Sequence, residues 1–240
     1  MYMRSFSRRV ATAAPVYIVQ HKPYSFLAPS PGARGNKRFA IDLLTRSNGR
    51  RQADQRGLGS DPCRLSGLQC AGRLDADSTG LMLWSTDRRF VERVIGPAAN
   101  VEKEYLVRVT GHEQCSDAQF AEAIGHLRHG IYLDGEPLRP AAVWWLNEAQ
   151  LQLTLTEGRH RQIRRMIDLV GWSCSALKRV RIGNLRLGGV LGGKWTALSA
   201  PQAARIYATR QGPLGDSRSA VEMSASDLSQ TQRLQSLEPW

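Results

Sequence analysis

From Gly72 to Leu81 the chain reads Gly-Arg-Leu-Asp-Ala-Asp-Ser-Thr-Gly-Leu. Two carboxylates (Asp75 and Asp77), two hydroxyls and two glycines in so short a stretch predict a shaped turn that presents acids. The apolar run Leu81-Met82-Leu83-Trp84 behind it predicts a buried strand. A purely structural reading is an Asx turn, with Asp77 and Ser78 bonding their own backbone and Asp75 pairing with Arg73. A calcium loop would begin with the same Asp-x-Asp-x-Thr-Gly, but its twelfth position here is Thr86 instead of a bidentate glutamate, and no helix precedes it. A glycosidase needs two carboxylates facing each other across a scissile bond, which two acids so close together on one turn do not offer. The turn alone leaves open an Asx turn or a single working carboxylate.

Basic residues gather in two later stretches. Residues 160–170 read as a helix bracketed by Gly158 and Gly171, with Ile163, Met166, Ile167 and Val170 at i, i+3, i+4, i+7 as a core-facing stripe. Arg161, Arg164, Arg165 and Asp168 are expected on the other, polar side. Lys178-Arg179-Val180-Arg181-Ile182 reads as a basic strand. Tyr105 lies on a strand over 103–110, where Tyr105, Val107 and Val109 alternate against Lys103, Glu104, Leu106 and Arg108. Taken singly, these residues also fit plain structural roles: Tyr105 in the core, Arg164 on a solvated helix face, Arg179 and Arg181 as surface charge. The Gly188 to Gly193-Lys194 stretch imitates a phosphate loop, but Trp195 follows where a hydroxyl would hold magnesium, and the next residues read as a strand. Cys63, Cys70, Cys115 and Cys174 form no Cys-x-x-Cys pair and the histidines are dispersed, so no metal site is expected.

These candidates belong to a chain of 240 residues with 42% hydrophobic and 22% charged residues, enough for one large core or two smaller ones. A formal charge of +12 favours a polyanionic partner, nucleic acid first. No apolar run approaches the roughly 18 residues of a membrane span. Scattered thiols without a secretory signal fit a reducing compartment. The elements that must position the candidates follow in order. A strand at 16–19 ends in His21-Lys22-Pro23-Tyr24. A Pro-, Gly- and Arg-rich stretch from 29 to about 70 can make a helical turn only at 39–44, and its 47–64 portion reads as a mobile surface loop. Asp87 caps a helix through Phe90, Val91, Val94 and Ile95; Ser116 caps another, with Phe120, Ala123, Ile124 and Leu127 on one face. Strands are expected at 131–133 and 141–146, joined through Asp134-Gly135 and Pro137, then at 151–156, 178–182, 185–187 and 195–198. Pro201 opens a terminal helix. Residues 1–14 read as a basic leader or arm and 210–240 as a disordered tail. The fold class is α+β around a mostly antiparallel or mixed sheet.

Three motifs in this order, Gly72-Arg73-Leu74-Asp75-x-Asp77-Ser78-x-Gly80-Leu81, Lys103-x-Tyr105 and Glu157-Gly158-Arg159-x-Arg161-Gln162-Ile163-Arg164-Arg165-Met166, resemble the pseudouridine synthases that modify ribosomal RNA. The resemblance is to their RsuA-type branch in particular, whose opening strand-turn Lys22-Pro23-Tyr24 matches, and it runs from about residue 16 to 198. It implies a pseudouridine synthase-like catalytic domain over 15–209, one sheet in two halves with a central cleft for a flipped-out uridine, working without cofactor or metal. It also implies roles: Asp75 as the essential carboxylate, Tyr105 stacking on the target base and taking the C5 proton, Arg164 pairing with Asp75. Converting uridine to pseudouridine needs one carboxylate, as nucleophile or as stabiliser of positive charge at C1′. Arg73, Arg159, Arg161, Arg165, Lys178, Arg179 and Arg181 are the expected RNA contacts.

Many members carry an S4-type RNA-binding domain ahead of the catalytic part. Only residues 1–15 precede the first strand here, so the expectation is a branch without that domain, the arginines of the long 23–72 stretch partly replacing it. The expected function is isomerisation of a specific uridine, in ribosomal RNA, by a cytoplasmic monomer; a mitochondrion or plastid is the alternative location. The competing function is a catalytically idle RNA-binding or ribosome-assembly protein of the same fold.

Overall fold

A computed structural model of the chain describes residues 14–29, 37–50, 58, 60–96 and 98–207. The arm expected over 1–14 (apart from Ala14), the middle of the expected 47–64 loop and the 210–240 tail lie outside the described residues.

The apolar run at 81–84 is the spine of β3 (Thr79–Ser85). Leu81 and Leu83 enter one core, Met82 and Trp84 the other, so burial on both faces removes the polar alternation of a surface strand. β3 pairs antiparallel with β1 (Tyr17–Lys22), which pairs antiparallel with β11 (Trp195–Leu198); β2 (Gln69–Cys70) adds to the end of β3. Trp84 Nε1 donates to Gln20 Oε1 (2.9 Å) and Gln20 Nε2 to the Ala40 carbonyl (2.7 Å), satisfying buried polar groups that would otherwise cost about 1–3 kcal/mol each. On the smaller core lies α1 (Arg88–Ile95), whose Phe90 N–H donates to the capping Asp87 carboxylate (3.1 Å) and which buries Phe90, Val91 and Val94.

The second half of the sheet centres on β4 (Lys103–Thr110), flanked by β9 (Ser173–Ile182) and β8 (Gln150–Leu155), with β7 (Ala142–Asn147) at the edge; every pair in it is antiparallel. α2 (Asp117–Arg128), opened by a Ser116/Gln119 capping box, buries Ala123 and Leu127, and α3 (Gln162–Leu169) buries Ile163, Met166 and Ile167 in the same larger core. The expected strand at 131–133 pairs elsewhere than expected: β5 (Tyr132–Leu133) and β6 (Glu136–Pro137) form a separate hairpin through Asp134 and Gly135, both left-handed at φ 57° and 78°. β10 (Leu185–Arg186) folds back on β9, and α4 (Ala200–Ala204) closes the smaller core. The described parts of the 37–68 stretch form 3-10 turns at Ala40–Leu43, Arg46–Asn48 and Pro62–Arg64, and Ala40, Leu44 and Leu58 enter the larger core. No described helix is long and apolar enough to cross a membrane.

The two halves meet at one short parallel pairing, Thr79 with Lys178 and Gly80 with Arg179. Gly80 has φ 105°, and a Cβ there would overlap the Arg179 backbone, so only glycine lets β3 approach β9 this closely. The acid-bearing turn at 72–78 enters the sheet at this junction. The fold is thus α+β with a mixed sheet, as expected.

Candidate active site

The base of the 72–81 turn is tied by a buried arginine. Arg179, 2% exposed, donates from Nε to the Leu81 carbonyl (2.8 Å), from Nη2 to Gly72 (2.9 Å) and from Nη1 to Arg73 (3.3 Å), spanning both ends of the turn. Lys22, fully buried at the end of β1, grips the middle: Nζ donates to the carbonyls of Phe26 (2.7 Å), Pro23 (3.1 Å) and Ala76 (3.4 Å). Burial lowers the Lys22 pKa to about 8, against the pull of the nearby Asp77 and Asp75 carboxylates, which favour the charged form.

At the tip the chemistry changes from carbonyls to carboxylates. Arg161 reaches Asp77 Oδ2 at 3.0 Å and Asp75 Oδ2 at 3.9 Å. Arg164 Nε lies 3.3 Å from Asp77 Oδ2, while its Nη2 donates to the Asp77 carbonyl (2.7 Å) and its Nη1 to the Cys174 carbonyl (2.8 Å). Arg161 caps α3 in the left-handed conformation (φ 51°, ψ 30°), which turns its side chain back over the acids. Asp77 Oδ1 and the Ser78 hydroxyl are buried with no hydrogen-bond partner among the described residues.

In front of this turn opens a cavity of about 670 Å³ lined by Asp75, Ser78, Lys103, Tyr105, Arg73, Arg159, Arg161 and Arg179, with Leu155, Ile163 and Leu177 as apolar wall. One carboxylate, one phenol ring and several cations around a half-apolar hollow suit a planar, neutral ring carried on an anionic backbone. Burial pushes the Cys70 thiol up to about 12, leaving it no nucleophile near neutral pH. Among the described residues no group of three or more His, Cys, Asp or Glu could hold a metal ion.

Residues 16–169 match the family model described as RNA pseudouridylate synthase. The chain belongs to that family. It is similar to the ribosomal large subunit pseudouridine synthase B of Escherichia coli K12, with 37% identity over 141 residues, 55% of this chain and 45% of that one. It is also similar to the ribosomal small subunit pseudouridine synthase A of Vibrio cholerae, with 30% identity over 203 residues, 83% of this chain and 78% of that one. A solved structure described as a pseudouridylate synthase superposes with a TM-score of 0.64 at 25% identity, covering 81% of this chain and 74% of the other. The chain therefore spans about half the length of the first relative and most of the second.

Within this family member, the cavity gathers Asp75, Tyr105, Arg73, Arg159 and Arg161, residues from three separate motifs. Other expected site residues are placed differently. Arg164 pairs with Asp77, not Asp75, and is buried (9% exposed) instead of solvated. Three residues before Ile167, it lies at the margin of the apolar stripe, from which its fork reaches the Asp77 and Cys174 carbonyls. Arg179 and Arg181, expected at RNA phosphates, are buried and taken up by protein acceptors. Arg181 bonds Glu104 (2.6 Å) and Glu102 (2.9 Å) on the opposite face of the sheet. The pairing of β4 with β9 slips between Glu104 and Tyr105, so that Arg181 opposes Glu104 and Arg179 opposes Tyr105; this bulge at Val180 sends the two arginines to different faces. Arg165 is engaged by both Asp134 oxygens (2.7 and 2.9 Å), which also lowers the Asp134 pKa. Arg159, though at the cavity, donates to the carbonyls of Pro137 (2.7 Å), Leu133 (3.1 Å) and Glu136 (3.3 Å). Lys178 is half-buried on β9 beside Leu106 and does not line the cavity.

Three positions that sequence reasoning left without a role complete the frame. Lys22 shares the inward parity of Ile18 and Gln20, a signal that it is buried. Asp77 takes Arg161, the cap of α3, and Arg164 within it. Lys103 shares parity with Tyr105, Val107 and Val109, so the strand's period of two puts it on their face and not on the opposing one.

Proposed function

We propose that this chain is an RNA pseudouridine synthase that isomerises a specific uridine, in ribosomal RNA, acting as a monomer on a nucleotide flipped into the cavity. The observation that carries this reading is the convergence of Asp75 and Tyr105 on one cavity beneath a rim of arginines. Family membership and relatives named for ribosomal large and small subunits support ribosomal RNA as the substrate.

The chemistry follows from the groups in reach. The N1–C1′ bond breaks with its electron pair going to the base. The Asp75 carboxylate bonds to C1′ or stabilises its positive charge. The detached uracil stays on the Tyr105 ring, whose face holds it while it turns. C5 then bonds to C1′, the C5 proton leaves, with Tyr105 as the group proposed to take it, and N1 regains a proton. Extracting a uridine from its stack costs roughly a few kcal/mol, which contacts from Arg73 and Arg161 to the flanking phosphates help offset.

The test is tritium release from ribosomal RNA labelled at uridine C5, since the new bond expels that hydrogen. Release by the native chain, with a loss of about 10³-fold or more in Asp75→Asn, is the expected result. Tight binding without release would instead mark an idle RNA-binding or assembly protein.

A further inference from the structure

Asp75 answers the positive charge at C1′, and the negative charge left on the base needs a partner of its own. When the N1–C1′ bond breaks, the pair stays on uracil as an anion spread over N1, O2 and O4. Asp75 can only repel that charge. A cation with donors to spare beside the base would carry that charge more effectively than water entering the open cavity, because its dipoles are fixed in advance.

The cavity contains such a group. Lys103 and Tyr105 lie two residues apart on β4, roughly 7 Å along one face, opposite Leu155 and Leu153 of β8. Both line the cavity. A ring stacked on Tyr105 therefore presents an edge towards Lys103. The Lys103 side chain is buried (8% exposed), and its ammonium donates to the Val101 carbonyl at 2.8 Å. An ammonium has three donors, so two remain open among the described residues. Among the described residues no carboxylate lies within ion-pair distance of Lys103; the adjacent Glu104 points to the other face and holds Arg181. The other buried cation of the wall, Arg179, has all three of its nitrogens already engaged, by the carbonyls of Leu81, Gly72 and Arg73.

Resting on the pseudouridine synthase reading, we infer that the Lys103 ammonium is the group that receives the detached uracil anion, donating hydrogen bonds to its edge while the base turns on Tyr105. No proton is transferred in this contact: Lys103 stays an ammonium from bond cleavage to bond formation, and the C5 proton leaves separately. The arrangement explains why a lysine is kept uncompensated inside the wall. Burial, with the Arg179 guanidinium close by, lowers its pKa to about 8. The ammonium is thus charged at neutral pH but held at a disadvantage, and an arriving anion relieves it. Of the other titratable and charged groups lining the cavity, Asp75 and Arg73 come from the turn, Arg161 from the cap of α3, and Glu157, Arg159 and His160 from the stretch before it, with Arg139 beside them.

Two experiments test this on the full chain. In the first, kcat and KM for tritium release from ribosomal RNA are measured between pH 6 and 10 for the native chain, Lys103→Met and Lys103→Arg. Methionine matches the stem without a buried charge, so the fold, checked by Tm, is expected to persist. Lys103→Met should lower kcat about 100-fold with KM within about threefold. The native kcat should fall above about pH 8 as the ammonium loses its proton. Lys103→Arg, whose charge persists, should regain part of the rate and show a weaker alkaline fall. An unchanged kcat, a loss confined to KM and sensitive to salt (a phosphate contact), or an alkaline fall in Lys103→Arg identical to the native one would each overturn the inference; Lys22, also lowered to about 8, titrates in both chains.

The second experiment needs no turnover. 5-Nitrouracil, a uracil already anionic at neutral pH, and uracil itself are titrated into native chain and Lys103→Met. The native chain should bind the anion at least about tenfold more tightly than the variant does, with uracil indifferent to the change. Equal affinities, or no binding of the anion by the native chain, overturn the anion site. Binding through Lys103 without tritium release from any RNA would overturn the proposed function and leave the anion site standing.

Discussion

The two ends of the acid-bearing turn are held by different chemistry. At its base and middle, Arg179 and Lys22 are buried and bond backbone carbonyls, three each. At its tip, Asp75 and Asp77 are about a third exposed and meet Arg161, whose side chain is 40% exposed, and Arg164. A buried cation with several carbonyls around it, as Arg179 and Lys22 have, is held by neutral acceptors that fix its position. Half-solvated ion pairs such as those of Arg161 contribute little, about 0–1 kcal/mol, and can be traded for a phosphate or a substrate oxygen. The contrast separates duties: the base fixes where the turn enters the sheet, while the tip keeps its carboxylates adjustable.

Breaking the base should therefore have the largest effect. Arg179→Met strands three carbonyls and loosens both ends of the turn, and should lower stability by about 3–5 kcal/mol in urea denaturation. Arg179→Lys should recover less than half of that, because a point charge cannot span Leu81, Gly72 and Arg73 as the guanidinium fork does. A loss under about 1 kcal/mol for Arg179→Met would erase the distinction between base and tip.

Gly80→Ala attacks the same junction from the other strand. Its Cβ would overlap the Arg179 backbone, and φ is 105°, so β3 and β9 must separate at their one parallel contact. A cost of about 2–4 kcal/mol is expected, with faster hydrogen exchange at the amides of Thr79–Gly80 and Lys178–Arg179. Gly67→Ala is the control. Gly67 also has positive φ (74°) but nothing within 4 Å of a would-be Cβ, so only backbone strain of about 1 kcal/mol applies. Equal losses at the two positions would show that close strand approach is not what demands glycine at 80.

The same contrast explains what could be read in the sequence. Local signals sufficed for β3, whose apolar run is buried on both faces, for the Asp87 and Ser116 caps and for the α3 stripe. The motifs also named residues that meet in space although far apart in the chain, since Asp75, Tyr105 and Arg161 line one cavity. What stayed hidden was partner choice. A period of 3.6 places Arg164 near the stripe's edge but cannot say which of two carboxylates, Asp75 or Asp77, it will meet. A period of two puts Arg179 and Arg181 on one face, and only the pairing slip opposite Glu104 and Tyr105 separates them. Charge alone suggested phosphate for both, whereas the fold turns one into a clasp for the turn and the other into the partner of Glu104.

The smallest change in stability is expected at the tip, and it is the sharpest probe of the comparison. Arg161 holds φ 51°, a left-handed conformation that costs a side-chain-bearing residue about 1 kcal/mol. Arg161→Gly removes that strain together with the contacts to Asp77 at 3.0 Å and Asp75 at 3.9 Å. With these pairs partly exposed, the two terms nearly cancel, and net stability should move by less than about 0.5 kcal/mol. Arg161→Ala keeps the strain and loses the pairs, and so should be the less stable of the two by about 1 kcal/mol. Tritium release should nevertheless fall in both by a similar factor, about tenfold, because the carboxylates lose the guanidinium that aligns them. Such a split, stability following the backbone and activity following the guanidinium, is what an adjustable tip on a rigid base requires. Were Arg161→Gly to lose 2 kcal/mol or more, about what a buried tie is worth, the tip would be as structural as the base and Arg161 would belong to the frame.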